Sequence, residues 1–192
     1  SSSWTLTALP LFVWMGEILF RTRLSENLFK GLSPWMQKLP GGLIHVNVVG
    51  CALFAAISGS SAATVATVGK MSIPELRKRK YPEKILLGSL AGSGTLGLLI
   101  PPSIILIIYG VAVQESIAKL FIAGILPGIM IALIFMSYVI FWSLINKKQM
   151  PKIDEEYSFF EKIKRSKQLL PVIFLISAVI GSIYTGIATA TE

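Results

Sequence analysis

The chain has 192 residues, of which 53% are apolar and only 15% charged, with a mean hydropathy of +0.69. Soluble domains carry about 25% charged residues, so this composition excludes a small soluble enzyme and indicates an integral membrane protein. The net charge of +8 would suggest nucleic-acid binding in a soluble protein, but the 18 Lys and Arg residues cluster between apolar segments, as in cytoplasmic loops, so we expect no nucleic-acid partner.

The first 40 residues divide into a membrane span and a polar segment. Trp4–Phe20 is the predicted span, and it lacks the basic start of a signal peptide. The chain begins Ser1-Ser2-Ser3 without an initiator Met, so we interpret it as a fragment. Residues 21–40 carry leucines at spacings near three and four among charged side chains, which predicts helices in the cytoplasmic interface. Pro34 and Pro40 are predicted to break this stretch into pieces.

The apolar segment Gly41–Gly69 has basic sequence on both sides, which places both of its ends in the cytoplasm. It is therefore predicted to be a re-entrant hairpin, with a turn-forming break at Ser58–Ser61 and a first half-helix ending near Ile57. Irregular backbone at membrane depth is tolerated only inside protein or against a water-filled cavity, so we expect this tip to contact one or the other. The single cysteine, Cys51, lies in the same run and leaves no internal disulfide.

The rest of the chain follows the alternation of apolar and basic segments. The predicted elements are a basic cytoplasmic loop over 70–84, a broken helix over 85–110, a span over 118–145, a cytoplasmic amphipathic helix over 147–167 and a final span over 169–187. The predicted fold class is an all-α membrane protein, a multi-span helical bundle with about four crossings, one re-entrant helical hairpin and one discontinuous helix. We divide the chain into 1–40, 41–110 and 111–192.

Glycines and prolines interrupt the predicted helix over 85–110, in the run G-S-L-A-G-S-G-T-L-G-L-L-I-P-P-S. Pro101 and Pro102 lack the N–H groups that would bond the carbonyls of Gly97 and Leu98. A carbonyl without a partner in lipid costs several kcal/mol, and a bound cation is one way of satisfying it. The alternative is a proline kink in which Gly88–Gly92 forms a helix-packing face.

The hairpin tip has backbone groups that suit a cation and others that suit an anion. The first half-helix ends in carbonyls that suit Na⁺, and the second begins near Ser61 with free N–H groups over Ser61–Ala63 that suit an anion. The alternative is ordinary packing between membrane helices through hydroxyl groups. The hydroxyl residues concerned are Ser58, Ser60, Ser61, Thr64 and Thr67.

Two further ionisable residues, Glu17 and His45, are candidates for function. Glu17 lies near the end of an apolar span, and intramembrane carboxylates are candidates for function, although an ion pair with Arg21 would also explain it. His45 has no flanking carboxylate and is interpreted as structural or interfacial. It has no paired nucleophile, phosphate loop or metal-ligand spacing beside it, so we predict no enzymatic activity and no cofactor.

Several runs together resemble the large (DctM-type) membrane subunit of TRAP transporters, the tripartite ATP-independent periplasmic carriers. They are Gly41–Gly69, I-P-E-L-R-K-R from Ile73, G-T-L-G-L-L-I-P-P-S from Gly94, and P-L-F-V-W-M-G-E-I-L-F-R-T around Glu17. The family subunit is roughly twice as long, so the chain looks like part of its first half. At the end, T-A-T-E has Ala190 where the family usually has Pro.

The resemblance implies an elevator-type, multi-pass secondary transporter of the bacterial inner membrane, with 41–110 in the mobile transport domain. It further implies Na⁺-coupled import of a small carboxylate, such as a C4-dicarboxylate or sialic acid, delivered by a periplasmic binding protein, with a small membrane subunit as partner. The implied substrate-binding residues are Ser58, Gly59, Ser60, Ser61, Ala62, Thr64, Pro102 and Ser103. The implied Na⁺-binding residues are Ile57, Ser58, Gly94, Thr95, Gly97, Leu98 and Pro101. Two alternatives stay open: another Na⁺- or H⁺-coupled anion transporter with hairpins, and a non-transporting membrane scaffold.

Overall fold

The described part of the chain is helical, with no β-strand among the residues described. The computed structural model describes residues 10–11, 14–15, 17–18, 21–22, 24–151 and 157–185, so most of the predicted span Trp4–Phe20 and the final T-A-T-E lie outside it. From residue 24 onward the α-helices are α1 (Leu24–Met36), α2 (Ile44–Ser58), α3 (Ser61–Lys78), α4 (Glu83–Gly94), α5 (Ile104–Val113), α6 (Ile117–Ile145), α7 (Phe159–Ser166) and α8 (Leu170–Tyr184).

Helix α1 runs through Pro34, so the predicted break at this proline is wrong. Proline removes one backbone hydrogen bond, but here the helix ends only two residues later, at Met36, where little helix remains to be disrupted. The helix also buries an apolar stripe that includes Leu28 and Leu32, and this burial favours a continuous helix.

Helices α2 and α3 form an antiparallel pair joined by Gly59 and Ser60 alone. A Cβ placed on Gly50 would lie 3.6 Å from Val68 Cγ1, so the two helices pack closely about two turns from the connection. Helix α3 continues beyond the predicted boundary at Gly69 to Lys78, inside the segment predicted as a loop. Leu76 is fully buried on this extension, which explains why the basic segment is helical rather than irregular.

The predicted helix over 85–110 is divided into two. Helix α4 ends at Gly94 and passes into a 3₁₀ turn, Thr95–Leu98, after which residues 99–103 are irregular. Helix α5 then starts at Ile104. Pro101 and Pro102 lie in the irregular stretch between the two helices, where their missing N–H groups remove no helical hydrogen bond.

Within the described residues, two helical stretches are long and apolar enough to cross a membrane. They are Ile117–Ile145, with 29 residues, and Phe159–Ile183, with 25. The second joins α7 to α8 through a 3₁₀ turn at Lys167–Leu169, so the predicted amphipathic helix and final span are continuous rather than separated. Of the four predicted crossings, these two have full length in the described residues.

The core is built around α2. Its side chains are buried on all sides, as expected of a helix that is apolar all round, and examples are Val48, Phe54 and Ile57, each with 0% exposure. Helix α6, by contrast, exposes many of its large apolar side chains, and Leu126 is 75% exposed. An extended exposed apolar surface of this kind indicates contact with lipid or with protein.

Candidate functional site

The connection between α2 and α3 lies against the break between α4 and α5. Gly59 adopts φ +61°, in the left-handed region, and its carbonyl accepts a hydrogen bond of 3.1 Å from the Ile104 amide. A Cβ on Gly59 would lie 2.6 Å from the Pro102 oxygen. A Cβ on Gly97 would lie 2.8 Å from the Ser61 nitrogen. Only glycine allows the two irregular segments to approach this closely.

Serine and threonine side chains stabilise the connection from within. The hydroxyls of Ser58 and Thr64 are 3.0 Å apart and hydrogen-bonded across the turn, and Ser58 is fully buried. Ser60 is the N-cap of α3, since its hydroxyl accepts a hydrogen bond of 3.4 Å from the Ala63 amide. The prediction that the amides of Ser61–Ala63 are all free is therefore wrong for Ala63. The amides of Ser61 and Ala62, also in the first turn of α3, have no acceptor within the helix.

The tip also contains a buried hydroxyl that has no partner. Ser61 Oγ makes no hydrogen bond within the described residues, and neither does Thr67 Oγ1, which lies further along α3. Buried polar atoms are nearly always hydrogen-bonded in native proteins. An unpartnered hydroxyl at the junction of two helix breaks is thus a position where a bound ligand would supply the missing interaction.

One of the two carbonyls predicted to be free already has a partner. Leu98 O accepts a hydrogen bond of 2.7 Å from Ser103 Oγ, so the prediction of a free carbonyl at Leu98 is wrong in its simple form. A carbonyl oxygen has two lone pairs, and one remains for a further ligand. Thr95 Oγ1 donates to the Gly92 carbonyl at 2.6 Å, and a Cβ on Gly94 would overlap the Val65 side chain. Gly94 thus lies where α4 contacts α3, whereas Thr95 is exposed and its hydroxyl bonds within its own segment.

The predicted residues of the two breaks are brought together, whereas Glu17 pairs elsewhere. Arg21 Nε donates to Glu17 Oε1 at 2.8 Å, which is the ion pair considered as its alternative explanation, and both side chains are exposed. His45 is buried and its Nε2 lies 2.8 Å from the Pro40 carbonyl, as expected of a structural histidine. Neither contact involves the tip.

Sequence reasoning missed a polar cluster between α2 and α4. Asn47 is fully buried, and its amide donates to the Leu86 carbonyl at 3.2 Å and to Ser89 Oγ at 3.0 Å. Ser93 Oγ lies 3.3 Å from the Asn47 carbonyl. An asparagine in an apolar membrane helix is the signal that could have identified it, since such side chains hydrogen-bond across helix interfaces. The cluster fixes α4, which carries the break, against the hairpin.

The chemistry available at the junction is that of uncharged oxygen and N–H groups. No group of three or more His, Cys, Asp or Glu residues that could hold a metal occurs among the described residues. Hydroxyl and carbonyl oxygens are suited to a hard monovalent cation, and first-turn amides are suited to an anion. The arrangement can therefore bind ions without supplying a nucleophile.

Comparison with known proteins gives matches over the whole chain. Residues 1–192 match the family described as "Tripartite ATP-independent periplasmic transporter, DctM component". The C4-dicarboxylate TRAP transporter large permease protein DctM of Pseudomonas aeruginosa is 36% identical over 192 residues, which cover 100% of this chain and 44% of that protein. The sialic acid TRAP transporter large permease protein SiaM of Vibrio cholerae is 34% identical over 192 residues, covering 99% and 44%.

A third relative has a name, DctMQ, that combines two subunit designations. The isethionate TRAP transporter permease protein DctMQ of Oleidesulfovibrio alaskensis is 35% identical over 191 residues, covering 99% of this chain and 30% of that protein. These relatives are transporter permeases rather than enzymes. The chain spans less than half the length of the curated relatives that it matches.

Proposed function

Because the chain belongs to the DctM family of tripartite ATP-independent periplasmic (TRAP) transporters, we propose that it forms part of a large permease subunit that imports a small organic anion together with Na⁺. The complete permease lies in the bacterial inner membrane. It receives its substrate from a periplasmic binding protein and works with a small membrane subunit, either separate or fused as the DctMQ name suggests.

One observation carries this proposal: the α2–α3 connection meets the α4–α5 break. Gly59 and Ile104 are hydrogen-bonded at 3.1 Å, and Ser61 Oγ is buried there without a partner. Discontinuous helices in transporters bind cations with carbonyls and anionic groups with helix N-termini, and both kinds of group are present here. Of the buried side-chain atoms that lack a hydrogen-bond partner in the described residues, Ser61 Oγ is the one at the junction of the two breaks.

In this site the cation and the substrate take different groups. Na⁺ binds between the end of α2 and the break, using oxygens of the residues Ile57, Ser58, Gly94, Thr95, Gly97, Leu98 and Pro101. The substrate carboxylate binds the turn between α2 and α3, the N-terminal turn of α3, and the end of the break next to α5. The residues are Ser58, Gly59, Ser60, Ser61, Ala62, Thr64, Pro102 and Ser103. Since both ligands contact the same turn, each stabilises the shape that the other binds.

The hairpin is proposed to be re-entrant. Helix α2 has 15 residues and is therefore about 22 Å long, short of the about 30 Å of a hydrocarbon core. The segments on both sides of the hairpin are proposed to lie in the cytoplasm, so α2 enters the membrane and α3 returns. Residues 41–110 form part of a mobile transport domain, which moves against a scaffold as in an elevator.

The test is uptake by the complete permease, reconstituted in proteoliposomes with its small subunit and binding protein. The panel of substrates is a C4-dicarboxylate, sialic acid and isethionate, which the relatives' names carry. We expect uptake of one of them to require Na⁺, to be lost when K⁺ replaces it, and to survive dissipation of the proton gradient. Uptake that needs only the proton gradient would replace Na⁺ coupling with H⁺ coupling.

Variants at the tip test the site itself. Ser61→Ala removes the unpartnered hydroxyl, and coupled binding typically changes affinity about 5-fold to 150-fold, so we expect the half-saturating substrate and Na⁺ concentrations both to rise at least about 5-fold. Ser182→Ala is the matched control, because the Ser182 hydroxyl donates within its own helix to Val179 O at 2.8 Å. Unchanged uptake in Ser61→Ala and in the double variant Pro101→Ala with Pro102→Ala would refute the site and leave the family assignment intact.

A further inference from the structure

A basic cavity lies away from the two helix breaks, where three segments meet. Its volume is about 310 Å³, and it is lined by residues 37–43 before α2, by Arg79 and Tyr81 after α3, and by residues at the end of α6 and in the segment just after it. The Leu43 amide donates to the Tyr81 hydroxyl at 3.1 Å, so this wall of the cavity is held in place by a hydrogen bond.

The charge of the cavity is positive. Its lining includes Lys38, Arg79 and Lys147, and no acidic residue is among the described residues that line it. Arg79 pairs with Glu75 at 2.8 Å, whereas Lys38 and Lys147 have no salt-bridge partner in the described part of the chain. Helix α2 begins beside the lining residues 41–43, so the positive end of its dipole adds to the field.

An exposed apolar surface adjoins this cavity. Leu144 belongs to its lining and is 47% exposed, and its neighbours on α6, Phe141 and Ile145, are 65% and 67% exposed. These residues end the 29-residue helix that is long enough to cross a membrane. A ligand with an anionic head and an apolar tail would thus find both of its parts accommodated.

We propose that this cavity binds the phosphate of an anionic phospholipid from the cytoplasmic leaflet. Lys38 and Lys147 bind the phosphate, and the acyl chains lie along Phe141, Leu144 and Ile145. Basic pockets beside membrane helices on the cytoplasmic side suit such headgroups. Free phosphate offers the same charge, but it would leave the adjoining apolar surface uncovered, and so the lipid is the better fit.

The test measures lipid binding by native mass spectrometry of the complete permease, delipidated in detergent. Phosphatidylglycerol and phosphatidylcholine with the same acyl chains are compared, together with inorganic phosphate as a competitor. We expect phosphatidylglycerol to bind more tightly, and the double variant Lys38→Gln with Lys147→Gln to weaken it about 10-fold to 30-fold. The control, Lys78→Gln with Lys148→Gln, removes the same charge from exposed positions outside the lining and should bind as the unmodified protein does.

A charge-preserving variant separates binding from folding. Lys38→Arg with Lys147→Arg should keep phosphatidylglycerol binding within about 2-fold, because guanidinium groups also bind phosphate. Equal binding of the two lipids, equal loss in the control, or displacement of lipid by millimolar phosphate would each overturn the proposal. Uptake is not the readout, so any of these results would leave the proposed transport function standing.

Discussion

The Ile104 amide donates a hydrogen bond of 3.1 Å to the Gly59 carbonyl and so joins the start of α5 to the turn between α2 and α3. The two residues are 45 positions apart in the sequence and belong to different helix interruptions. Each interruption leaves backbone groups that the other partly satisfies, which is a requirement for irregular backbone inside a membrane protein.

Gly59→Ala is expected to destabilise the permease. Alanine in the left-handed conformation costs about 1–2 kcal/mol, and the added Cβ would lie 2.6 Å from the Pro102 oxygen, which forces the turn or the break to move. Thermal unfolding in detergent should therefore begin at a lower temperature, and uptake should fall. Gly88→Ala is the control, since a Cβ there meets nothing within 4 Å. An unshifted unfolding temperature for Gly59→Ala would show that the turn is not held in this geometry.

Gly97→Ala tests the contact between the 3₁₀ turn and the hairpin. Its Cβ would meet backbone atoms of Ser60 and Ser61 at 2.8–3.0 Å, and backbone cannot move aside as a flexible side chain does. We expect the half-saturating Na⁺ concentration to rise at least about 5-fold with expression retained, because the two halves of the ion site are pushed apart. Measured Na⁺ dependence identical to that of Gly88→Ala would contradict this assignment.

Ser103→Ala removes the donor to the Leu98 carbonyl. This hydrogen bond is part-buried, and a typical hydrogen bond contributes about 0.5–1.5 kcal/mol, so the unfolding temperature should fall. Ser103→Thr keeps the hydroxyl and should stay close to the unmodified protein. If both variants unfold alike, the hydrogen bond of 2.7 Å contributes nothing measurable to stability.

Membrane orientation can be read from single cysteines. Lys38→Cys and Arg79→Cys should both react with an impermeant thiol reagent from the cytoplasmic side, because these residues line one cavity and lie on either side of the hairpin. Gln114→Cys, in the connection after α5, should react only from the opposite side. The native Cys51 is fully buried and should give little background. Labelling of Lys38→Cys and Arg79→Cys from opposite faces would make the hairpin a full crossing.

Some local structure followed directly from residue chemistry. Glycine and serine between two apolar runs indicated the break near Ser58–Ser61, and the structure ends α2 at Ser58 and begins α3 at Ser61. Paired prolines indicated the irregular stretch after Leu98. Boundaries in polar sequence were less predictable: α1 continues through Pro34 and α3 continues to Lys78. In both cases burial of an apolar stripe, which depends on the neighbouring helices, outweighs the local signal.

The sequence by itself determined that this is a helical membrane protein with two helix interruptions, because composition and the spacing of Gly, Pro and Lys or Arg are local properties. Only the tertiary structure decided which groups meet. It placed Ser103 on the Leu98 carbonyl, Asn47 against Leu86 and Ser89, and two lysines around one cavity. These contacts join residues far apart in the chain or fix the shape of an irregular stretch. They depend on how helices pack, which hydrophobic and charge patterns along one sequence do not specify.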